Sequence, residues 1–162
     1  MLWACLLLPS LPLDVFARAT AAEDAARPFV VASGGHYPRV VAANASAHAA
    51  GIRPHQLISA ALALAPYIRM RDRDIAAEEA ALCEVATSLL AFTPQASLAL
   101  PNAVLAEIEG SVRLFGGLRR LLQRLREQAQ VRGYAGTLAL APTPTAALLL
   151  ARAGYAKPVL DP

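Results

Sequence analysis

Seven consecutive apolar residues, Leu2-Trp3-Ala4-Cys5-Leu6-Leu7-Leu8, stand directly behind Met1 and stop at Pro9. This run constrains the fold more than any other feature. It is far short of the roughly 18 residues a membrane-spanning helix needs, and Pro9 and Pro12 interrupt its continuation. A secretory signal would place basic residues ahead of the apolar stretch, and none stand there. Leu2-Trp3-Ala4-Cys5 mimics a lipobox but lies too close to Met1 to follow a signal. The run therefore reads as a strand covered by hydrocarbon on both faces. Trp3 belongs to that core rather than to a base-stacking surface.

The rest of the chain supplies the layers to cover such a strand. Of the 162 residues, 56% are hydrophobic and 17% charged, a composition that fills a core and excludes disorder. Leu11 to Thr20 reads as a helix, Phe29 to Ala32 and Arg39 to Ala42 as strands. Asn44 is an N-cap for a short helix closing at Gly51. Gln56 to Ala65 is a helix stopped by Pro66, and Tyr67 to Met70 is extended. Arg71 to Asp74 is a polar link. Asp74 caps a long helix, Ile75 to Ala91, with Glu78 and Glu79 near its start and an inner stripe of Leu82, Val85, Ala86 and Leu89.

Ser97 to Leu100 and Val104 to Ile108 form two strands around a Pro101-Asn102 turn. Ser111 is expected to cap one helix over 112–131, with Leu118, Leu121, Leu122 and Leu125 facing inward. Thr137 to Ala141 is a strand. Thr143 caps a last helix with Pro144 at its first position, and Gly154 ends it. Strands mixed with covering helices give an α/β (α+β) class.

Charge and cysteines narrow the function. The net charge of +3 permits nucleic-acid contact without demanding it. The basic residues cluster locally: Arg113, Arg119, Arg120, Arg124, Arg126 and Arg132 stand against the single acid Glu127. That run reads mainly as a solvated helix face. Arg69, Arg71 and Arg73 alternate along an extended segment, with Asp72 and Asp74 between and after them. Cys5 and Cys83 sit in apolar runs and read as buried thiols in a reducing compartment. With no CxxC or Cys/His cluster, zinc is not indicated. His36 and His55 lie in loops. Gly34-Gly35 is a turn, because no Gly-rich phosphate fingerprint follows it. No serine has a nucleophile-elbow context.

Three stretches, in order, resemble the palm and fingers of Y-family DNA polymerases of the DinB/UmuC type. Phe92-Thr93-Pro94-Gln95-Ala96-Ser97, the strand Val104 to Ile108 and Gly110-Ser111-Val112-Arg113-Leu114-Phe115-Gly116-Gly117 are similar to the family's acidic strand and the step into a palm helix. Ala42 to Pro54, with Gly51-Ile52-Arg53, is similar to a fingers turn and is followed by Ala61-Leu62-Ala63-Leu64-Ala65-Pro66. Leu140-Ala141-Pro142-Thr143 is similar to a palm segment. The resemblance implies a ferredoxin-like mixed palm sheet with covering helices, built from residues 1–20 and 76–162. Residues 21–75 would be an inserted fingers-like subdomain. The resemblance ends at Pro162, without thumb, little-finger or clamp-binding portions. Gln56-Leu57-Ile58 begins like a clamp motif but lacks its terminal hydrophobic pair.

The family's chemistry uses two metal ions held by carboxylates. On the resemblance, those carboxylates fall at the end of the first strand, Leu6 and Leu8, and at Ala99 and Leu100 of Ser97-Leu98-Ala99-Leu100. The triphosphate contacts fall on Ala45, His48 and Pro144. All these positions are degenerate, and Asp14, Glu107 and Glu109 offer no obvious substitute. Glu107 and Glu109 are expected to face solvent or pair with arginine. His48 reads as a helix-surface histidine.

This pattern of loss, with Leu11-Pro12-Leu13-Asp14-Val15 and Arg113-Leu114-Phe115-Gly116-Gly117, resembles the ImuB-like subgroup. It implies a catalytically inactive scaffold of DNA repair and damage-induced mutagenesis, bacterial, cytoplasmic and nucleoid-associated. Partners implied are DNA, held weakly, an error-prone replicative-type polymerase, a RecA-like protein and the sliding clamp. Arg53, Arg69, Arg71 and Arg73 are the nucleic-acid candidates. No cofactor is expected. The alternative is an active polymerase with displaced metal ligands, which would require Mg²⁺.

Overall fold

The computed structural model describes residues 1–17 and 27–155. The chain divides into two compact units. One joins Met1–Leu11 to the chain from Glu78 onward, and the other is Pro12–Ala77. The divisions fall at 11/12 and 77/78, where the sequence suggests 20/21 and 75/76.

In the first unit the opening apolar run forms β1 (Trp3–Leu7), fully buried. It is one of the two central strands of a four-stranded sheet in the order β5-β6-β1-β7, with β5 (Gln95–Ala99), β6 (Ala103–Glu107) and β7 (Thr137–Ala141). Every neighbouring pair is antiparallel. Such sheets commonly leave one face to water, but here both faces of β1 are covered. Successive residues of a strand point to opposite faces. Trp3, Cys5 and Leu7 therefore pack with Ala103, Leu105, Ala139 and Ala141 against Ala147 and Ala151 of α7 (Pro144–Arg152). Ala4, Leu6, Val104, Ala106, Leu138 and Leu140 share the other face and are equally buried.

Two long helices of this unit bury their apolar stripes. In α4 (Ile75–Leu89) the stripe is Ala81, Leu82, Val85 and Leu89, with Glu78 buried beside it. Asp74 Oδ1 accepts from Ala77 N at 2.9 Å, as a cap should. Ala86, expected on the inner stripe, is only half-buried, and Glu78 near the helix start is 2% exposed. The single helix expected over 112–131 is instead two, α5 (Ser111–Leu114) and α6 (Leu118–Val131). Gly116 and Gly117 adopt φ of 75° and 105°, a left-handed region that only glycine enters cheaply, and the ladder breaks there. The cap position is Gly110, and Ser111 is the buried first residue of α5. Leu121, Leu125 and Ala129 form the buried stripe of α6. Thr143 caps α7 with Pro144 at its start.

The second unit carries a three-stranded sheet in the order β3-β2-β4, with β2 (Phe29–Ala32), β3 (Val40–Ala43) and β4 (Arg69–Asp72). The β2–β3 pair is antiparallel and the β2–β4 pair parallel, so the mixed pairing lies here. Arg71 and Asp72, expected in a link, belong to strand β4. The helices are α1 (Leu11–Ala17), α2 (Ala45–Ala49) and α3 (Ile58–Leu64). Residues 18–20 of the expected first helix lie outside the described residues. Phe16 of α1 meets Phe29 edge-on, with ring centroids 6.2 Å apart. Val30, Ala32, Val40, Ala43, Ala47, Ile52, Ile58, Ala61 and Ala65 form the core. No helix among the described residues is long and apolar enough to cross a membrane.

Candidate functional site

The antiparallel register places the end of β1 beside the β5–β6 turn. Leu7 pairs with Ala103, and Ala103 pairs with Ala99, so the three stand in one row across the sheet. Directly opposed residues point to the same face, and all three contribute to the cluster under α7. Among the β1 residues it is Leu7 that stands in the same row as Ala99. Leu6 and Leu8 flank it, 1% and 0% exposed. The Leu8 amide donates to Asn102 O at 2.8 Å, tying the strand end to the turn. Leu100 lies past the end of β5, largely exposed, and its carbonyl accepts from Arg152 Nη2 at 3.3 Å.

This row does not fit a metal ion. Mg²⁺ demands oxygen ligands at about 2.1 Å, and methyl and isobutyl groups have none. Among the described residues no group of three or more His, Cys, Asp or Glu is placed to hold an ion. Glu107 is no substitute. It pairs with Trp3, four residues along β1 from Leu7, which is about 13 Å at strand rise. Its Oε1 accepts from the amides of Leu2 (3.3 Å) and Glu109 (3.1 Å). Glu109 meets the Met1 ammonium at 2.6 Å and, chiefly by that hydrogen bond, raises the ammonium pKa. Among the described residues the partners of both acids are thus backbone amides and the Met1 ammonium, not arginine. Burial pushes the Cys5 thiol up from 9.0 to about 11, partly opposed by the field of Arg152. Cys83, expected to be buried, is exposed on α4.

In the second unit the suspected triphosphate positions have structural roles. Asn44 Oδ1 accepts from Ala47 N at 2.9 Å and Phe29 N at 3.0 Å, so it caps α2 and ties it to β2. Ala45 is the first residue of that helix and is exposed. His48 Nδ1 lies 3.0 Å from Ile52 O, which requires the proton on Nδ1. Arg53 Nη1 donates to His48 O at 2.7 Å and Ile52 O at 3.0 Å, so its guanidinium closes the Gly51 turn. Pro144, in the first unit, fills the start of α7.

The other arginine candidates sit on an edge. β4 pairs only with β2, with Arg69 opposite Phe29 and Arg71 opposite Val31. Alternation puts Arg69 and Arg71 on the Phe29 face of the sheet, and Met70 and Asp72 on the other. Arg71 is exposed, Arg69 and Arg73 half-buried. The sequence reading missed one further group, Phe92 and Phe115 with Arg120 and Arg124 of α6. Its only sequence signal is the pair of arginines four apart, which lie on one side of a helix.

Comparison with known proteins places this arrangement. No curated protein matches the chain by sequence. Among solved structures, DinB from Sulfolobus solfataricus superposes with a TM-score of 0.72 at 17% identity, over 94% of this chain and 46% of that one. The insertion ternary complex of Dbh DNA polymerase gives 0.77 at 17% identity with the same coverage. A Y-family DNA polymerase chimera of Dbh and Dpo4 gives 0.74, again at 17%. The chain thus spans less than half the length of these structures, and at this identity the likeness is one of fold, that of the Y-family palm. The family model described as impB/mucB/samB matches residues 14–152, most of the sequence, and the chain belongs to that family.

Proposed function

We propose that this chain is the palm-and-fingers part of a Y-family polymerase-like protein that serves DNA repair and translesion synthesis as a scaffold and does not itself transfer nucleotides. One observation carries the reading. The positions where the resemblance places the family's metal-binding carboxylates, Leu6, Leu8, Ala99 and Leu100, are all hydrocarbon, and the row between them at the strand end is Leu7, Ala103 and Ala99. Nucleotidyl transfer depends on metal ions that activate the attacking oxygen and stabilise the leaving one. A hydrocarbon row supplies neither. The contacts of Glu107 and Glu109 with the amino-terminal segment give the displaced-ligand alternative no support.

The unit from Glu78 onward with Met1–Leu11 would act as palm and Pro12–Ala77 as fingers. DNA is the proposed ligand, with Arg69, Arg71 and Arg73 as its contacts; Arg53 is committed to its own turn. The ImuB-like pattern of lost residues suggests a bacterial, nucleoid-associated component whose partners are an error-prone replicative-type polymerase, a RecA-like protein and the sliding clamp.

The deciding experiment is single-nucleotide primer extension with Mg²⁺ or Mn²⁺, beside an active Y-family polymerase. The expected result is no incorporation above background, with binding of the primer–template retained by fluorescence anisotropy. Incorporation dependent on either metal overturns the reading.

A further inference from the structure

A groove of about 410 Å³ opens on the first unit, along α6 and away from the β1 row in sequence and element. Phe92, Arg120, Gln123, Arg124, Glu127 and Gln128 line it. Its apolar side is the half-buried ring of Phe92, backed by Phe115, whose ring lies 5.2 Å from it between centroids, tilted by 53°. Arg124 reaches over the Phe115 ring, with its guanidinium carbon 5.8 Å from the centroid. Stacking of that kind fixes a long cation in one orientation before anything binds. Arg120 stands one turn away on the same side of α6, its guanidinium packed beside Gly116. Aromatic anchors next to arginines are the composition of binding hot spots.

We infer that this groove docks an acidic peptide segment of a protein partner, one that carries an Asp or Glu beside an apolar side chain. The carboxylate would meet Arg120 and Arg124, and the apolar side chain would lie on Phe92 and Phe115. Charge selects the class. Arg120 and Arg124 line the groove against the one acid Glu127, so the groove attracts anions.

Glu127 and the two glutamines separate a peptide from nucleic acid. Glu127 accepts from Gln123 Nε2 at 2.9 Å within the groove. A phosphodiester backbone offers only acceptors and negative charge, which Glu127 repels. A peptide backbone offers N–H groups that Glu127 accepts and carbonyls that Gln128 can donate to. The inference stands apart from the absence of nucleotidyl transfer, since no groove residue belongs to the Leu7–Ala103–Ala99 row.

The test pans a random dodecapeptide display library against the immobilised full chain. Recovered peptides should carry Asp or Glu next to Leu, Met or an aromatic residue. The double variant Arg120→Glu, Arg124→Glu should lower their recovery about tenfold or more. Arg126→Glu makes the same kind of charge change on α6 outside the groove and should leave recovery unchanged; it also controls for folding. No enrichment on the unaltered chain overturns the inference, as does enrichment equal on all three proteins. A single-stranded oligonucleotide whose affinity falls in the double variant but not in Arg126→Glu assigns the groove to nucleic acid instead. Self-association of the unaltered chain that the double variant abolishes assigns it to a second copy.

Discussion

The two sheets of this molecule carry side chains of opposite character at comparable places. In the four-stranded sheet, the row at the end of β1 is Leu7, Ala103 and Ala99, sealed beneath a helix. In the three-stranded sheet, the edge strand β4 reads Arg-Met-Arg-Asp and is largely exposed. Metal-dependent chemistry needs oxygen ligands fixed at a few positions, and aliphatic side chains supply none. Recognition of a polyanion needs only cations within reach of solvent, and a charged edge supplies them without altering the core. The charges also keep β4 from pairing with foreign strands. On the proposed function, the fold has lost its reaction in one sheet while its surface in the other stays suited to a ligand.

The sharpest way to break this contrast is to charge the sealed row. Leu7→Asp places an unpaired carboxylate under α7, and the protein should lose about 3 kcal/mol or more of stability, read from urea denaturation midpoints. Primer extension should stay at background, because one carboxylate makes no metal cradle. A variant as stable as the parent would show that the row is open to water.

A smaller effect concerns Cys5, two residues before Leu7 on the same face. Its thiol titrates from about 11 in the folded chain against 9.0 ordinarily. The folded state therefore holds the proton longer, and stability present below pH 9 is lost as pH rises towards about 11. The measured difference between the parent and Cys5→Ala should shrink over that interval. A difference independent of pH would contradict the burial of this face. At neutral pH an alkylating reagent should modify Cys83 and spare Cys5.

The smallest effect on stability belongs to the other sheet. Arg71→Glu on the exposed edge should change stability by less than about 0.5 kcal/mol. Its DNA affinity should nonetheless fall, and the salt dependence of binding should become shallower by roughly one unit of slope. Unchanged affinity would remove β4 from the proposed DNA surface.

Local signals in the sequence were legible wherever one residue decides the structure. The unbroken run before Pro9 gave a strand buried on both faces. Asn44, Asp74 and Thr143 cap the helices they precede, because a side-chain oxygen there has free amides to satisfy. Gly51 closes its turn. The features that escaped depend on the fold. Nothing local distinguishes Leu7 from Leu6 and Leu8; only pairing with Ala103 shows which of them stands in line with Ala99. The helical stripe from Leu118 onward suggested continuity through Gly116-Gly117, whose left-handed conformations break it. Ala86 reads as part of the inner stripe and is only half-buried. Cys83 reads as core and faces outward. The Phe92–Phe115–Arg124 cluster joins residues more than twenty positions apart, which no periodicity reveals.

The sealed row also bears on the history open to such a chain. An active centre for two metals requires several acids together, and each benefits the protein only when the others are present. On the proposed function, reversion would begin with a single substitution such as an acid at position 6 or 8, both buried, which loses packing before any ion is there to offset it. Lineages that take this step fold less well and gain nothing, so selection for folding alone works against a return. On the proposed function, hydrocarbon packed at these positions acts as a ratchet: the absence of catalysis would be conserved by the same forces that keep the protein folded.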